Sequence, residues 1–251
     1  MRIAIVTGGS SGIGKSTSME LARRSIGVIL TYRSNKEAAQ NVVKEIQETS
    51  VSKAVAINLD LTEIDQFSDF EEQVRQNLSR LWGRTTFDYL VNNGGAGGGM
   101  SFTEMTEKYF DSTLNTNFKG PFFLTQKLVR LIESGGSIVN VSSGSSHQSH
   151  IGYSAFGPSK AALSSWTRYL AKELAPRQIR VNTISPGPVE TGFGGGDLAK
   201  RSEIFKVLGT QTAFARIGTP QDVANAIVSV LSDDFKWVTA QDIDVSGGFL
   251  L

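Results

Sequence analysis

The chain has 251 residues, 39% of them apolar, which is enough for one large domain with a sizeable core. Lys and Arg number 25 against 24 Asp and Glu, a formal charge of +1, so no net field exists to hold a nucleic acid or a membrane surface. With no cysteine, disulfides, thiolate metal sites and cysteine nucleophiles are excluded, and the 26 glycines against 6 prolines ask for a local use.

Met1 and Arg2 run straight into the apolar stretch 3–6, and neither a leader-like segment nor an 18-residue apolar run follows. The expectation is a soluble, cytoplasmic protein. Short apolar runs recur at 27–31, 54–57, 89–91, 137–141, 180–184 and 242–245, each the length of a strand. Between them apolar residues return at helical spacing, as in Val42, Val43 and Ile46 or Leu163, Trp166, Leu170 and Leu174. Strand and helix therefore alternate, and parallel neighbours need crossover helices. The pattern predicts a single α/β domain over 1–251, doubly wound, with a central parallel sheet of about seven strands flanked by helices. Residues 186–220 carry no clear strand; they hold Gly192 and Gly194 to Gly196, then a short helical pattern over 197–208, and read as a lid covering about 190–215.

After the first strand stands Thr7-Gly-Gly-Ser-Ser-Gly-Ile-Gly14, followed by a helical pattern from Lys15 to Arg24. Glycines there allow a sharp turn and close approach to a pyrophosphate, while a helix N-terminus presents free N–H groups and a positive dipole. The spacing is Gly8, Gly12, Gly14 rather than G-x-G-x-x-G.

From this point the chain resembles the short-chain dehydrogenase/reductase family, and the likeness runs almost end to end. Thr7 to Gly14 matches that family's cofactor fingerprint, Asn92-Asn-Gly-Gly95 its N-N-A-G element, and Asn117-Phe-Lys-Gly120 its N-x-x-G. Ile138-Val-Asn-Val-Ser-Ser143 resembles its serine-bearing strand, Pro186-Gly-Pro-Val-Glu-Thr191 its nicotinamide loop, and Val245-Ser-Gly-Gly248 its V-D-G-G with Ser246 in place of the acid. The resemblance implies a Rossmann-type NAD(P)-binding domain whose cofactor contacts are Gly8, Ser10, Ser11, Gly12, Ile13, Gly14, Asp60, Leu61, Asn93, Gly94, Gly95, Lys160, Pro186, Gly187, Val189 and Thr191. Asp60 also reads simply as a turn or N-cap residue.

An acidic side chain about 20 residues beyond the glycines usually takes the ribose 2′-OH, whereas a basic one suits a 2′-phosphate. The second strand ends Thr31-Tyr-Arg-Ser-Asn35, without a carboxylate. Arg33 offers a planar fork and Ser34 a hydroxyl, which favours NADP(H) over NAD(H).

Reducing a ketone with hydride requires a proton for the developing alkoxide and a donor that polarises the carbonyl. The family implies Ser, Tyr and Lys, supported by Asn, and thus Ser143, Lys160 and Asn117 here. Phe156-Gly-Pro-Ser-Lys160 matches its Y-x-x-S-K element everywhere but the first place, which holds Phe156. Positions 156 and 160 share one helix face. Lys160 is expected on the nicotinamide ribose, Ser143 on the substrate oxygen, and Asn117 beside a water near Lys160. Phe keeps the ring and deletes the general acid, a loss of about 10²- to 10⁴-fold. Three readings of Phe156 stand open. The native protein carries Tyr and this chain is a deliberate Tyr-to-Phe variant; or Phe is natural and the enzyme acts slowly or borrows Tyr153; or the chain is a non-catalytic dinucleotide-binding sensor or scaffold.

Met100, Tyr153 and Phe193 are candidates for the apolar wall of a carbonyl or alcohol pocket. His147 and His150, the only histidines, read as loop or substrate-rim residues rather than a metal pair. Leu163, Trp166, Thr167 and Leu170 are more apolar than one buried face needs, and the family implies a homotetramer or homodimer. Of the 26 glycines, 15 (8, 9, 12, 14, 94, 95, 97–99, 144, 187, 192 and 194–196) follow expected strands on the cofactor face.

Overall fold

The computed structural model describes residues 1–192 and 198–251. Seven strands, β1 (Ile3–Val6), β2 (Gly27–Tyr32), β3 (Ala54–Asn58), β4 (Phe87–Asn92), β5 (Ile132–Val141), β6 (Arg180–Pro186) and β7 (Asp242–Val245), form one sheet in the order β3-β2-β1-β4-β5-β6-β7. Every pairing is parallel. The helices are α1 (Gly12–Arg23), α2 (Lys36–Thr49), α3 (Phe67–Asn77), α4 (Glu107–Leu114), α5 (Gly120–Leu128), α6 (Phe156–Leu174), α7 (Leu198–Thr210) and α8 (Pro220–Leu231).

The strands are β-branched runs buried on both faces, as a sheet covered by crossover helices requires. Alternation sorts them into two cores. Ile3 and Ile5 pack with Phe67, Phe70, Leu124, Leu128 and Leu170 on one face, whereas Ala4 and Val6 pack with Leu21, Val42, Ile46, Val223 and Ile227 on the other. Helix starts follow local chemistry: the Asn35 side chain accepts from Ala38 N–H, and Thr219 forms a capping box with Asp222 ahead of Pro220. Arg216, and then the N–H of Thr219, hold the Asp222 carboxyl well below the ordinary carboxylate range. α4 and α5 are joined by a π-helical turn, Asn115–Lys119.

Two boundaries differ from the sequence expectation. β5 begins at Ile132, which pairs with Phe87, and the register then shifts before Tyr89 meets Ser137. The intervening Gly135, at φ +82°, and Gly136 supply the irregular backbone that hid the early start. The helix expected over 197–208 runs from Leu198 to Thr210, and Asp197 lies outside the described residues.

β1 has β2 on one side and β4 on the other, so the strand order reverses there, the place where open α/β sheets take ligands beyond the carboxyl ends of their strands. No described helix is long and apolar enough to cross a membrane.

Candidate active site

The glycine turn and the end of β4 are tied together at the reversal point. Thr7 Oγ1 accepts from the N–H of Asn93 (3.0 Å) and of Gly94 (2.8 Å), and Asn93 Nδ2 donates to the Thr7 carbonyl (2.9 Å). From the β2 side, Gly8 N–H donates to Thr31 Oγ1 at 3.1 Å. Gly8 and Gly12 sit at φ +63° and +52°, where a side chain is strained. A Cβ at Gly14 would stand 2.2 Å from the Gly8 carbonyl oxygen, so only glycine lets α1 start this close to the turn.

α1 opens with Ser11 at the N-cap, in extended conformation, making no side-chain cap, and its first turn carries no acidic residue. Its leading N–H groups and positive dipole are thus left for an anion. A Cβ at Gly12 would lie 3.5 Å from Thr191 Cγ2, so the loop after β6 comes close to the turn. Leu61 packs against Gly94. Asp60 accepts from the N–H and hydroxyl of Thr62, at 2.9 and 2.8 Å, so its carboxylate closes a turn beside the opening. Arg33 and Ser34 are exposed at the end of β2, and no carboxylate stands at positions 31–35. A pyrophosphate fits the uncapped helix start, and a 2′-phosphate fits Arg33 and Ser34.

The second half of the site gathers at β5 and α6. Ser142 Oγ donates to the Lys160 carbonyl (3.0 Å), and Lys160 Nζ donates to the Val141 carbonyl (2.9 Å), so the first turns of α6 are fastened to the end of β5. Lys160 is only 4% exposed, and burial pushes its ammonium down to about 8. Its Nζ lies over the Phe156 ring, 5.9 Å from the centroid. Ser143 Oγ accepts from Ser145 N–H at 3.2 Å, which leaves its own proton to be donated.

Asn117 occupies the π-helical turn and is fully buried. Its side chain pairs with the backbone of Ala96, accepting from the N–H and donating to the carbonyl, each at 3.0 Å. Its side chain therefore helps to shape the loop after β4. A Cβ at Gly95 would come within 2.9 Å of Asn117 Oδ1 and 3.4 Å of Lys160 Nζ, so Gly95, Asn117 and Lys160 meet at one point.

From Phe156 a line of rings leads outward. Tyr153 meets Phe156 edge-on at 5.6 Å, His150 meets Tyr153 at 6.0 Å, and Phe249 of the C-terminal segment lies 6.1 Å from His150. Gln148 Nε2 donates to the Phe249 carbonyl at 3.0 Å and anchors that segment to the loop after β5. Met100 N–H donates to the Gly152 carbonyl at 2.9 Å, which sets the loop after β4 beside the segment that carries Tyr153. Phe193 lies outside the described residues, as do Gly194 to Gly196. His147 lies 3.7 Å from the Asp244 carboxylate, apart from His150. Among the described residues no group of three His, Asp or Glu could hold a metal ion.

Sequence reasoning missed Thr7, Ala96 and the Val141 carbonyl. Thr7 opens the quoted fingerprint and could have been found; the other two act through backbone atoms, which no residue type announces.

The family model described as enoyl-(acyl carrier protein) reductase matches residues 8–250. The chain belongs to the short-chain dehydrogenase/reductase family. An oxidoreductase of Methylorubrum extorquens is 36% identical over 98% of this chain and 97% of its own. Among solved structures, the reductase LugOII, which catalyses keto-reduction at C1 during lugdunomycin biosynthesis, is 35% identical with a TM-score of 0.94, covering 100% of this chain and 98% of that one. The angucycline C-6 ketoreductase LanV with bound NADP is 30% identical, TM-score 0.94, covering 99% and 95%. This short-chain dehydrogenase/reductase therefore has the fold of an oxidoreductase over its full described length, and Leu163, Thr167 and Leu170 are consumed in its own core. Of the surplus apolar face expected on α6, Trp166 remains half-buried against Phe118 and Phe122, with Tyr169 exposed.

Proposed function

We propose that the protein is an NADP(H)-dependent reductase of ketones, interconverting a ketone and a secondary alcohol at the carboxyl ends of β1, β4, β5 and β6. The observation that carries this reading is the convergence of Lys160, Asn117 and Gly95 beside the uncapped start of α1. When bound, the reduced nicotinamide supplies hydride to the carbonyl carbon. The residues of the chain do the rest. α1 and the glycine turn hold the pyrophosphate; Arg33 and Ser34 take the 2′-phosphate and set the preference over NAD(H); the Pro186 to Thr191 loop covers the nicotinamide end; and Lys160 holds the ribose. Ser143 donates to the carbonyl oxygen and polarises it. Phe156 stands where a phenol would give the proton, so this chain turns over slowly. The ring line of Phe156, Tyr153, His150 and Phe249 suits a flat, conjugated ketone, and the keto-reduction named for LugOII and the ketoreductase named for LanV support a ketone substrate. A cytoplasmic homotetramer or homodimer, joined in part through Trp166, Phe123 and Tyr169, completes the reading.

The test is NADPH oxidation with a panel of aryl ketones by this chain and by Phe156→Tyr. Restoring the phenol raises kcat about 10²- to 10⁴-fold. Sound NADPH binding with no turnover by either protein would refute the enzyme and leave a dinucleotide-binding sensor or scaffold.

A further inference from the structure

The site binds a carbonyl without a phenol at position 156, yet an alkoxide formed there still needs a proton. Three other polar groups have roles of their own in the reductase reading. Lys160 Nζ, 5.9 Å from the Phe156 ring centroid, donates to the Val141 carbonyl and in that reading holds the ribose. Ser143 is an alcohol, suited to hydrogen bonding the oxygen rather than to ionising. His147 faces Asp244 across 3.7 Å, on the side of β7.

One phenol remains against Phe156. Tyr153 lies just before α6, held by its N–H to the His150 carbonyl (3.1 Å) and by the Gly157 N–H to its own carbonyl (2.8 Å). Its ring is set edge-on to Phe156, and its Cε2 lies 3.5 Å from the place a Cβ on Gly99 would take. It therefore spans the gap between the loop after β4 and the start of α6, the two segments that also bracket Lys160 and Asn117. It is half-buried, beside Phe156 and Gly99. His150 is the next ring outward, a second group able to carry protons to it.

Resting on the reductase reading above, we infer that Tyr153 is the proton donor of this chain, replacing the absent hydroxyl at 156 from a position displaced toward Gly99. As hydride reaches the carbonyl carbon, the C=O π pair moves onto oxygen. The Tyr153 O–H bond breaks, its proton closes the O–H bond of the product alcohol, and a solvent proton restores the phenol, with His150 on the path. The electrons come from the nicotinamide and the proton from Tyr153, so no further reactant is needed.

Tyr153→Phe and Phe156→Tyr form a double-mutant cycle that separates a donor from a packing ring. With 1-tetralone as probe and NADPH in excess, Tyr153→Phe lowers kcat at least 10-fold in the present chain but no more than about 3-fold beside Tyr at 156, where another phenol is at hand. Tyr109→Phe, which removes the phenol on the far side of Gly98, changes kcat less than 2-fold in either background. Equal losses from Tyr153→Phe in both backgrounds would make Tyr153 structural and overturn the inference. So would no loss in the present chain, or turnover only when Tyr stands at 156. Failure of all variants to turn over while NADPH binds would remove the reductase reading and this donor with it. A readout independent of turnover uses tyrosine labelled with carbon-13 at Cζ: the chain has 5 tyrosines, and Tyr153→Phe assigns one signal. Adding 1-tetralone to the NADP⁺ complex moves that signal; an unmoved Tyr153 signal at saturating ketone would refute the contact.

Discussion

Replacing Lys160 by methionine removes a charge from the dry end of β5 and changes how stability depends on pH. In the folded protein burial pushes the ammonium from 10.5 down to about 8. At about 1.4 kcal/mol per pH unit, the buried charge opposes folding by on the order of 3 kcal/mol below pH 8. Between about pH 8 and 10.5 the unfolded chain keeps a proton that the folded chain has released. The unfolding free energy therefore rises with pH through that window, and the penalty is gone above it. Methionine has similar length and no titration, so subtracting its curve cancels every other ionisable group. The lost bond to the Val141 carbonyl adds a roughly constant offset of about 1–3 kcal/mol and leaves the slope alone. Urea unfolding of both proteins at pH 7, 8, 9 and 10, followed by tryptophan fluorescence, measures the difference. The native chain gains on Lys160→Met by about 1 kcal/mol up to pH 9 and by 2 to 3 kcal/mol up to pH 10. A flat or falling difference would show that Lys160 is hydrated in the folded protein, and the dry site built around it would be wrong.

Three further outcomes follow from the same geometry. Gly14→Ala drives a Cβ to 2.2 Å from the Gly8 carbonyl, so the turn opens and NADPH affinity drops at least 10-fold by fluorescence titration, with a lower Tm. Arg33→Ala removes the planar fork for a 2′-phosphate; NADPH affinity weakens about 10- to 100-fold while NADH affinity changes less than 2-fold, and equal losses for both would place the phosphate elsewhere. Asn140→Ala cuts a buried chain in which Asn92 Nδ2 donates to Asn140 Oδ1 (2.8 Å) and Asn140 Nδ2 to Thr167 Oγ1 (2.8 Å). Leaving those partners unpaired costs about 2–4 kcal/mol in urea unfolding, whereas a loss under 0.5 kcal/mol would mean that water replaces the amide.

How far the sequence could be read depended on whether side chains or backbone do the work. The strands were legible because residues such as Ile3 to Val6 and Val28 to Leu30 are short apolar runs that only a doubly covered sheet buries completely. The site was legible where a residue type is tied to one chemistry, as with Lys160, Ser143 and the glycines ahead of α1. Asn117 shows the limit. Its identity suggested a polar contact near Lys160; its position in a π-helical turn also pairs its amide with Ala96, a loop-ordering contact that residue type does not announce. The helical bulge leaves no mark in the pattern of apolar residues, and neither does the Val141 carbonyl that fixes Lys160.

The glycine surplus divides along the same line. Position after a strand suggested that 15 of the 26 face the cofactor. Gly9 and Gly187 belong to that set, yet their missing side chains make room for the chain itself: a Cβ would lie 2.7 Å from Leu30 Cβ in the first case and 2.7 Å from Ser246 Cβ in the second. Gly95 is different, because its missing Cβ is the space shared by Asn117 and Lys160. A methyl group there presses on the pair that orders the loop and the ammonium, while the pyrophosphate turn, built from Gly8, Gly12 and Gly14, lies outside its reach. Gly95→Ala accordingly lowers kcat at least 10-fold on 1-tetralone, with NADP⁺ affinity within about 3-fold of the parent chain, since the close approach is to the reacting end of the site. Loss of NADP⁺ binding with unchanged kcat in the bound fraction would reverse that assignment and make Gly95 part of the dinucleotide cradle.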